Sequence, residues 1–295
     1  MVKVSAIQMS MTHDRIFNVL NAVKLVRESA FNGAQIILLP ELFEGLYFCK
    51  DMDKKYFEWA RPLKNNKLIE QFSDLARELN VVILVSYFEQ ADKEYKVNCE
   101  AREGSLGYCN SLVVINTDGS VMDNYRKTHI PDGPGYEEKF YFKAGDTGFK
   151  VYDTAFGRIG VGICWDQWFC ETARALALMG AEIIFYPTAI GSEPEIELDS
   201  KEHWQRVQMG HAATNTVPVV VANRIGKEVG ESCEITFYGS SFITDYTGKI
   251  IAEASRDKQE IIYAVFDLEE NALQREYWGL LRDRRPATYS KLTQE

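Results

Sequence analysis

Phe156-Gly157-Arg158-Ile159-Gly160-Val161-Gly162-Ile163 runs directly into Cys164-Trp165-Asp166-Gln167-Trp168. The run before the cysteine is apolar and glycine-rich, and predicts a buried strand. Glu171 to Met179 beyond it are good helix formers without Gly or Pro, and predict a helix. Cys164 therefore falls at a strand-to-helix turn. There an α/β protein displays a nucleophile close to helix-start N–H groups. A buried structural thiol is the plainer reading of one cysteine. The rest of the chain decides between the two.

Two more residues share that setting. Gln35-Ile36-Ile37-Leu38-Leu39 is a short apolar run broken by Pro40, and Glu41 follows directly. Val121-Met122-Asp123-Asn124-Tyr125 is a second short extended stretch, with Lys127 just beyond it. Strand ends converging on one sheet edge would gather a carboxylate, an ammonium and a thiol. These supply a base, a cation for a developing oxyanion and a nucleophile. Taken singly, a Glu after Pro is also an ordinary helix start, and Arg126-Lys127 an ordinary solvated pair.

Length and charge narrow the classes. The chain has 295 residues, 46% of them hydrophobic, enough for a substantial core in one soluble globular domain. Its net charge of −10, from 43 acidic and 33 basic residues, argues against nucleic acid as a partner and is compatible with a cationic small substrate. No apolar run approaches a membrane span, and Met1-Val2-Lys3-Val4 looks like a first strand rather than a signal peptide. The expected location is cytoplasmic, with no membrane partner. Cys49, Cys99, Cys109, Cys164, Cys170 and Cys233 show no CxxC spacing, and His13, His129, His203 and His211 form no HExxH. Neither a metal, nor another cofactor, nor a disulfide framework is expected.

Strand and helix patterns alternate. Lys3–Gln8 predicts a strand. Arg15–Asn32 predicts a helix, with Ile16, Leu20, Val23, Val26 and Ala30 at spacings of three and four. Gln35–Leu39 and Val81–Val85 predict strands around a helix at Lys64–Leu79. Tyr108–Ile115 and Val121–Tyr125 predict a hairpin across Asp118-Gly119. The second half continues with strands Phe156–Ile163, Ile183–Tyr186, Val219–Ala222 and Ile261–Phe266. Helices are expected at Glu171–Met179 and Trp204–Asn215, and a hairpin at Gly239–Thr244 and Lys249–Ala254. Helices set against hairpin-containing sheets predict layered α/β packing.

The flanking residues make the constellation specific. Leu38-Leu39-Pro40-Glu41, Tyr125-Arg126-Lys127-Thr128-His129 and Gly162-Ile163-Cys164-Trp165-Asp166 resemble, in order and spacing, the three signatures of the carbon–nitrogen hydrolase (nitrilase) superfamily. The resemblance runs from Val4 to Pro286. His129–Tyr136, Glu138–Phe142, Gly145–Phe149, Thr188–Pro194, Leu198–Ser200 and His203-Trp204 look like the N-carbamoylputrescine amidase branch. Relatives often carry Asp-Gly-Leu-Asp where this chain has Glu195-Ile196-Glu197-Leu198-Asp199.

The resemblance implies a four-layer α-β-β-α sandwich in a single domain over residues 1–295. A C-terminal tail from about residue 268 would pack on a partner subunit in a homo-oligomer. It implies Cys164 as nucleophile, Glu41 as base, Lys127 with the Trp165 N–H as oxyanion donors, and Glu138 in support. The implied reaction is cleavage of N-carbamoylputrescine to putrescine, ammonia and carbon dioxide. His129 is the rival base, since alternation points it the same way as Lys127. Glu193 and Asp132 are candidates for the substrate's cationic end, with Tyr47, Trp165 and Trp168 as walls. An N-carbamoyl amino acid would instead need a cation at the far end, for which Arg224 and Arg174 are available. Some members of the superfamily have a broken catalytic set and act as binding subunits; here all three signature residues are present.

Overall fold

Strands whose side chains are buried on both faces build the centre of the molecule. The computed structural model describes residues 1–91 and 107–294, so Cys99 lies outside the described residues. In chain order the elements are β1 (Val2–Ser10), α1 (Arg15–Phe31), β2 (Ile36–Leu38), α2 (Lys67–Leu79), β3 (Val82–Gln90), β4 (Tyr108–Ile115), β5 (Tyr125–Arg126) and α3 (Glu138–Tyr141). Then follow β6 (Lys150–Thr154), β7 (Gly157–Val161), α4 (Cys170–Leu178), β8 (Ile183–Pro187), α5 (Lys201–Asn215), β9 (Val219–Ala222), β10 (Arg224–Val229) and β11 (Glu234–Tyr238). The chain ends with β12 (Phe242–Thr244), β13 (Ile250–Glu253), β14 (Glu260–Phe266) and α6 (Leu268–Trp278).

One sheet has the order β11-β10-β1-β2-β3-β4-β5, with β14 also paired to β1; the other has the order β13-β12-β9-β8-β7-β6. The central strands β1-β2-β3 and β7-β8-β9 are parallel. Alternation then assigns each side chain. Ile36 and Leu38 point into the core between the sheets, with Val4, Ala6, Ile159, Val161 and Phe185. Ile37 and Leu39 point the other way, onto Val26 of α1 and Phe72 and Leu75 of α2. On the far side, Ile184 and Val219 meet Ala173 and Leu176 of α4 and Trp204 of α5. The layers are thus α-β-β-α. Burial on both faces is why these strands read as unbroken apolar runs.

Three readings change. The helix at Arg15–Phe31 buries Ala22, Leu25, Val26 and Ser29, while Ile16 (75% exposed) and Leu20 (58%) face outward. Small side chains let α1 lie close to the sheet, and Ser29 Oγ is satisfied by Ser5 Oγ at 2.8 Å. The strand expected at Val121–Tyr125 contracts to Tyr125–Arg126 plus a single bridge from Val121 to Ile115. The hairpin β10–β11 was not legible, because Gly226, Lys227, Glu228 and Glu234 interrupt its apolar pattern. The region from residue 268 opens as a helix in which Asn271 is the buried residue. Among the described residues no helix is long and apolar enough to cross a membrane.

Candidate active site

Each of the three signature residues follows a short strand and sits on a pinned backbone. Beyond β2 and Pro40, the residue after Glu41 is Leu42, in left-handed backbone at φ +48°. That turn is held from two sides. The Leu42 N–H donates to Ser86 Oγ at 3.1 Å. The fully buried Arg224 donates to the carbonyls of Glu41 (2.7 Å) and Leu42 (3.1 Å), and to Glu228 Oε1 (2.9 Å). Lys127 leaves β5 with its N–H on the Asn110 carbonyl (2.8 Å) and its own carbonyl accepting from Gly145 N–H (2.7 Å). A side chain at Gly145 would collide with the Arg126 carbonyl, which is why that position needs glycine. Arg126 grips Glu89 through two parallel N–H bonds of 2.8 and 2.7 Å, fixing the strand from below.

The side chains meet in a buried cluster. Glu41, Lys127 and Glu138 are all fully buried. Lys127 Nζ donates to Glu41 Oε1 at 2.8 Å and to both oxygens of Glu138, at 2.9 and 2.7 Å. Asn110 Nδ2 also donates to Glu41 Oε1, at 2.7 Å. Glu41 Oε2 is buried, and no donor among the described residues reaches it. One oxygen of Glu41 is therefore anchored and the other is uncommitted. Cys164 is in left-handed backbone at φ +42°, with its Sγ 3.7 Å from the Ala189 carbonyl. For a non-glycine residue this costs of order 1–3 kcal/mol and is a feature of constrained sites.

Burial pushes the Cys164 thiol well above the ordinary cysteine range; Glu41 adds to the rise and Lys127 opposes it. A thiol shifted in that direction needs a base to become a nucleophile. Burial pulls Lys127 down, but the Glu138 and Glu41 carboxylates together outweigh it, so the ammonium stays charged with its pKa well above the usual value. Burial raises the Glu138 carboxyl to about 7 against the pull of Lys127, and Glu41 adds to the rise.

A cavity of about 210 Å³ opens onto this cluster, lined by Cys164, Glu138, Trp165, Trp168, Tyr136, Asp132 and Glu193, with Ala189, Ile190 and the 131–134 loop. Among the described residues, no Lys, Arg or His lines it. Trp165, 38% exposed, forms part of the wall, and Asp132 lies at the rim, exposed. Glu193 is half-buried, and desolvation alone raises its carboxyl above the ordinary range. Tyr47 is placed differently from expectation. It is fully buried behind Glu138, donating its OH to Glu138 Oε1 at 2.7 Å, and is not in the wall. Tyr136 takes the wall position; its OH accepts from the Gly191 N–H at 3.1 Å and so joins the pocket's two loops. Arg224 is fully buried beneath Glu41, and Arg174 bonds the Thr214 carbonyl at 3.0 Å beside a different cavity. Neither lines the pocket. His129 faces Asp166 through Nδ1 at 2.8 Å and stacks on Phe169 with ring centroids 3.7 Å apart.

Asn110 was missed in the sequence, yet a signal existed. It stands beside Ser111 at the head of the apolar run Leu112-Val113-Val114-Ile115, and a polar residue buried in such a strand usually has a task. Among the described residues no group of three His, Cys, Asp or Glu side chains could hold a metal.

Comparison with known proteins agrees with this geometry. A model of the carbon-nitrogen hydrolase family matches residues 3–276. An N-carbamoylputrescine amidase of Arabidopsis thaliana is 51% identical over 99% of this chain and 95% of its own length. A citrullinase of Francisella tularensis is 48% identical over 100% of this chain and 99% of its own. The crystal structure of a carbon-nitrogen hydrolase from Helicobacter pylori G27 superposes with a TM-score of 0.90 at 35% identity, covering 100% of this chain and 99% of that one. With the two-sheet sandwich and the Glu41–Lys127–Cys164 cluster already in view, the chain belongs to the carbon–nitrogen hydrolase family.

Proposed function

We propose that this chain hydrolyses N-carbamoylputrescine to putrescine, ammonia and carbon dioxide, a step of polyamine biosynthesis. The observation that carries the substrate is the pocket. Cys164, Glu193 and Asp132 line it, and among the described residues no cationic side chain does. A carbamoyl group at the thiol and an ammonium at the carboxylates fit that distribution of charge. About half of the residues are shared with the Arabidopsis amidase that carries this activity in its name, which supports the same reading.

In this scheme Glu41 Oε2 takes the Cys164 proton, and the sulfur attacks the carbamoyl carbon. Lys127 and the Trp165 N–H stabilise the oxyanion, a contribution of roughly 3–4 kcal/mol per donor. Collapse breaks a C–N bond, and Glu41 returns the proton to the leaving nitrogen. Glu41 then deprotonates a water that hydrolyses the thioester, and the carbamic acid formed breaks down to carbon dioxide and an amine or ammonia. Glu138 holds Lys127, and Tyr47 holds Glu138.

The citrullinase relative gives a second reading, since citrulline offers the same ureido group with an α-ammonium and an added α-carboxylate at its far end. That carboxylate would meet Glu193 and Asp132 with no cation among the described lining residues, which favours the diamine. Ammonia release from N-carbamoylputrescine, citrulline and N-carbamoyl-β-alanine tests both. A higher kcat/KM for either amino acid would displace the polyamine assignment and leave the thiol chemistry standing. The proposal extends to a homo-oligomer in the cytoplasm. Leu273, Tyr277 and Trp278, all at least 60% exposed near the C-terminus, are the side chains a second copy would cover.

A further inference from the structure

Asp166 is fully buried, and its carboxylate accepts hydrogen bonds from two separate segments. Oδ2 takes the Ile163 N–H at 2.9 Å and the Tyr125 OH at 2.7 Å. Oδ1 takes the His129 N–H at 2.9 Å and faces His129 Nδ1 at 2.8 Å. The Asp166 N–H closes back on the Ile163 carbonyl at 3.0 Å. Ile163 immediately precedes Cys164. Tyr125 and His129 stand on either side of Lys127.

One carboxylate thus fastens the backbone on both flanks of the lysine to the turn that carries the thiol. The two segments belong to different sheets: β5 is the edge of one, and β7 lies inside the other. No ladder of main-chain hydrogen bonds joins those strands. Their spacing is left to side chains, and Asp166 is fully enclosed at the junction. Asp166 does not line the pocket.

We propose that Asp166 is a positioning residue that sets the separation of Lys127 Nζ from Cys164 Sγ and acts on the reaction through it. This rests on reading Cys164 as the nucleophile and Lys127 as the oxyanion cation. An amide in place of the carboxylate would turn an N–H donor toward one pair of donors, so Asp166→Asn loosens one flank while keeping the volume.

The test is a double-mutant cycle on ammonia release from N-carbamoylputrescine. Lys127→Ala alone should lower kcat by about 10²-fold or more. Asp166→Asn should lower kcat by about 10²-fold with KM within about threefold, since a small misplacement of reacting groups costs that much. Because both act through one geometry, the double variant should lose at least ~10-fold less than the product of the single losses. Multiplying losses, or an unchanged kcat in Asp166→Asn, overturns the proposal. If Asp166→Asn does not fold, Tyr125→Phe replaces it in the same cycle. It should lower kcat by about 10-fold at constant KM, non-additively with Lys127→Ala; full activity or additivity there is decisive against the idea. Parent-level activity in Lys127→Ala sinks the underlying reading as well, whereas a large Lys127 effect with additive Asp166 losses sinks only the role of Asp166.

Discussion

Replacing Glu193 by Gln removes one negative charge from the pocket and keeps its shape. If a substrate ammonium comes to about 4 Å, two unit charges attract by ~4 kcal/mol at the effective dielectric of about 20 found near protein surfaces. Stripping water from the ammonium returns part of this, and the half-buried position of Glu193 leaves some solvent screening. About 1–3 kcal/mol should remain, a factor of roughly 5 to 150 in kcat/KM. The assay compares N-carbamoylputrescine with butylurea, which keeps the chain length and the ureido group but lacks the ammonium. Glu193→Gln should lower kcat/KM for the first and spare the second. Burial has already raised the Glu193 carboxyl. The carboxylate is therefore lost as pH falls at a higher pH than for an exposed glutamate. KM for N-carbamoylputrescine should rise over that window, KM for butylurea should stay flat, and the substitution should remove the difference. Equal losses on both substrates would refute the reasoning, and a loss found only in Asp132→Asn would move the cation site to the rim.

Glu41→Gln should cut kcat by at least ~10² because it removes the uncommitted Oε2 acceptor, while His129→Ala should cost much less; steady-state kinetics reporting the reverse order would restore the histidine base. Iodoacetamide should abolish activity in step with modification of Cys164, followed by intact mass, and full activity in Cys164→Ser would exclude covalent catalysis by that thiol. Glu138, raised from 4.5 in the unfolded chain to about 7, contributes stability that is complete below about pH 4.5 and is lost as pH rises through about 7. The parent protein should therefore lose stability between about pH 4.5 and 7 relative to Glu138→Gln in denaturant unfolding, and parallel pH profiles would count against the buried proton. Light scattering at micromolar concentration should report a multiple of 33.7 kDa, since Leu273, Tyr277 and Trp278 are left uncovered on one copy; a monomer mass would dismiss the proposed assembly.

The sequence alone determined the layered architecture and the candidate reacting groups. Apolar runs such as Ile36–Leu39, ended by Pro40, can be read locally, because a strand buried on both faces shows no polar alternation. Glu41, Lys127 and Cys164 were legible because each follows such a run and carries its own flanking signature. What local patterns could not carry was direction and contact. Only the tertiary structure turned Tyr47 behind Glu138 and brought Tyr136 into the wall, since a side chain's face in a loop depends on distant packing. Only the structure committed Arg224 to the Glu41 turn, which removed it as a substrate anchor. The helix face of α1 was likewise settled by close contact of Ala22 and Ser29 with the sheet rather than by the bulk of Ile16 and Leu20. Asn110 and Asp166 take their importance from partners 69, 41 and 37 residues away in sequence. A hydrogen bond across that distance leaves no periodicity in the chain, and exists only once the tertiary fold has brought its partners together.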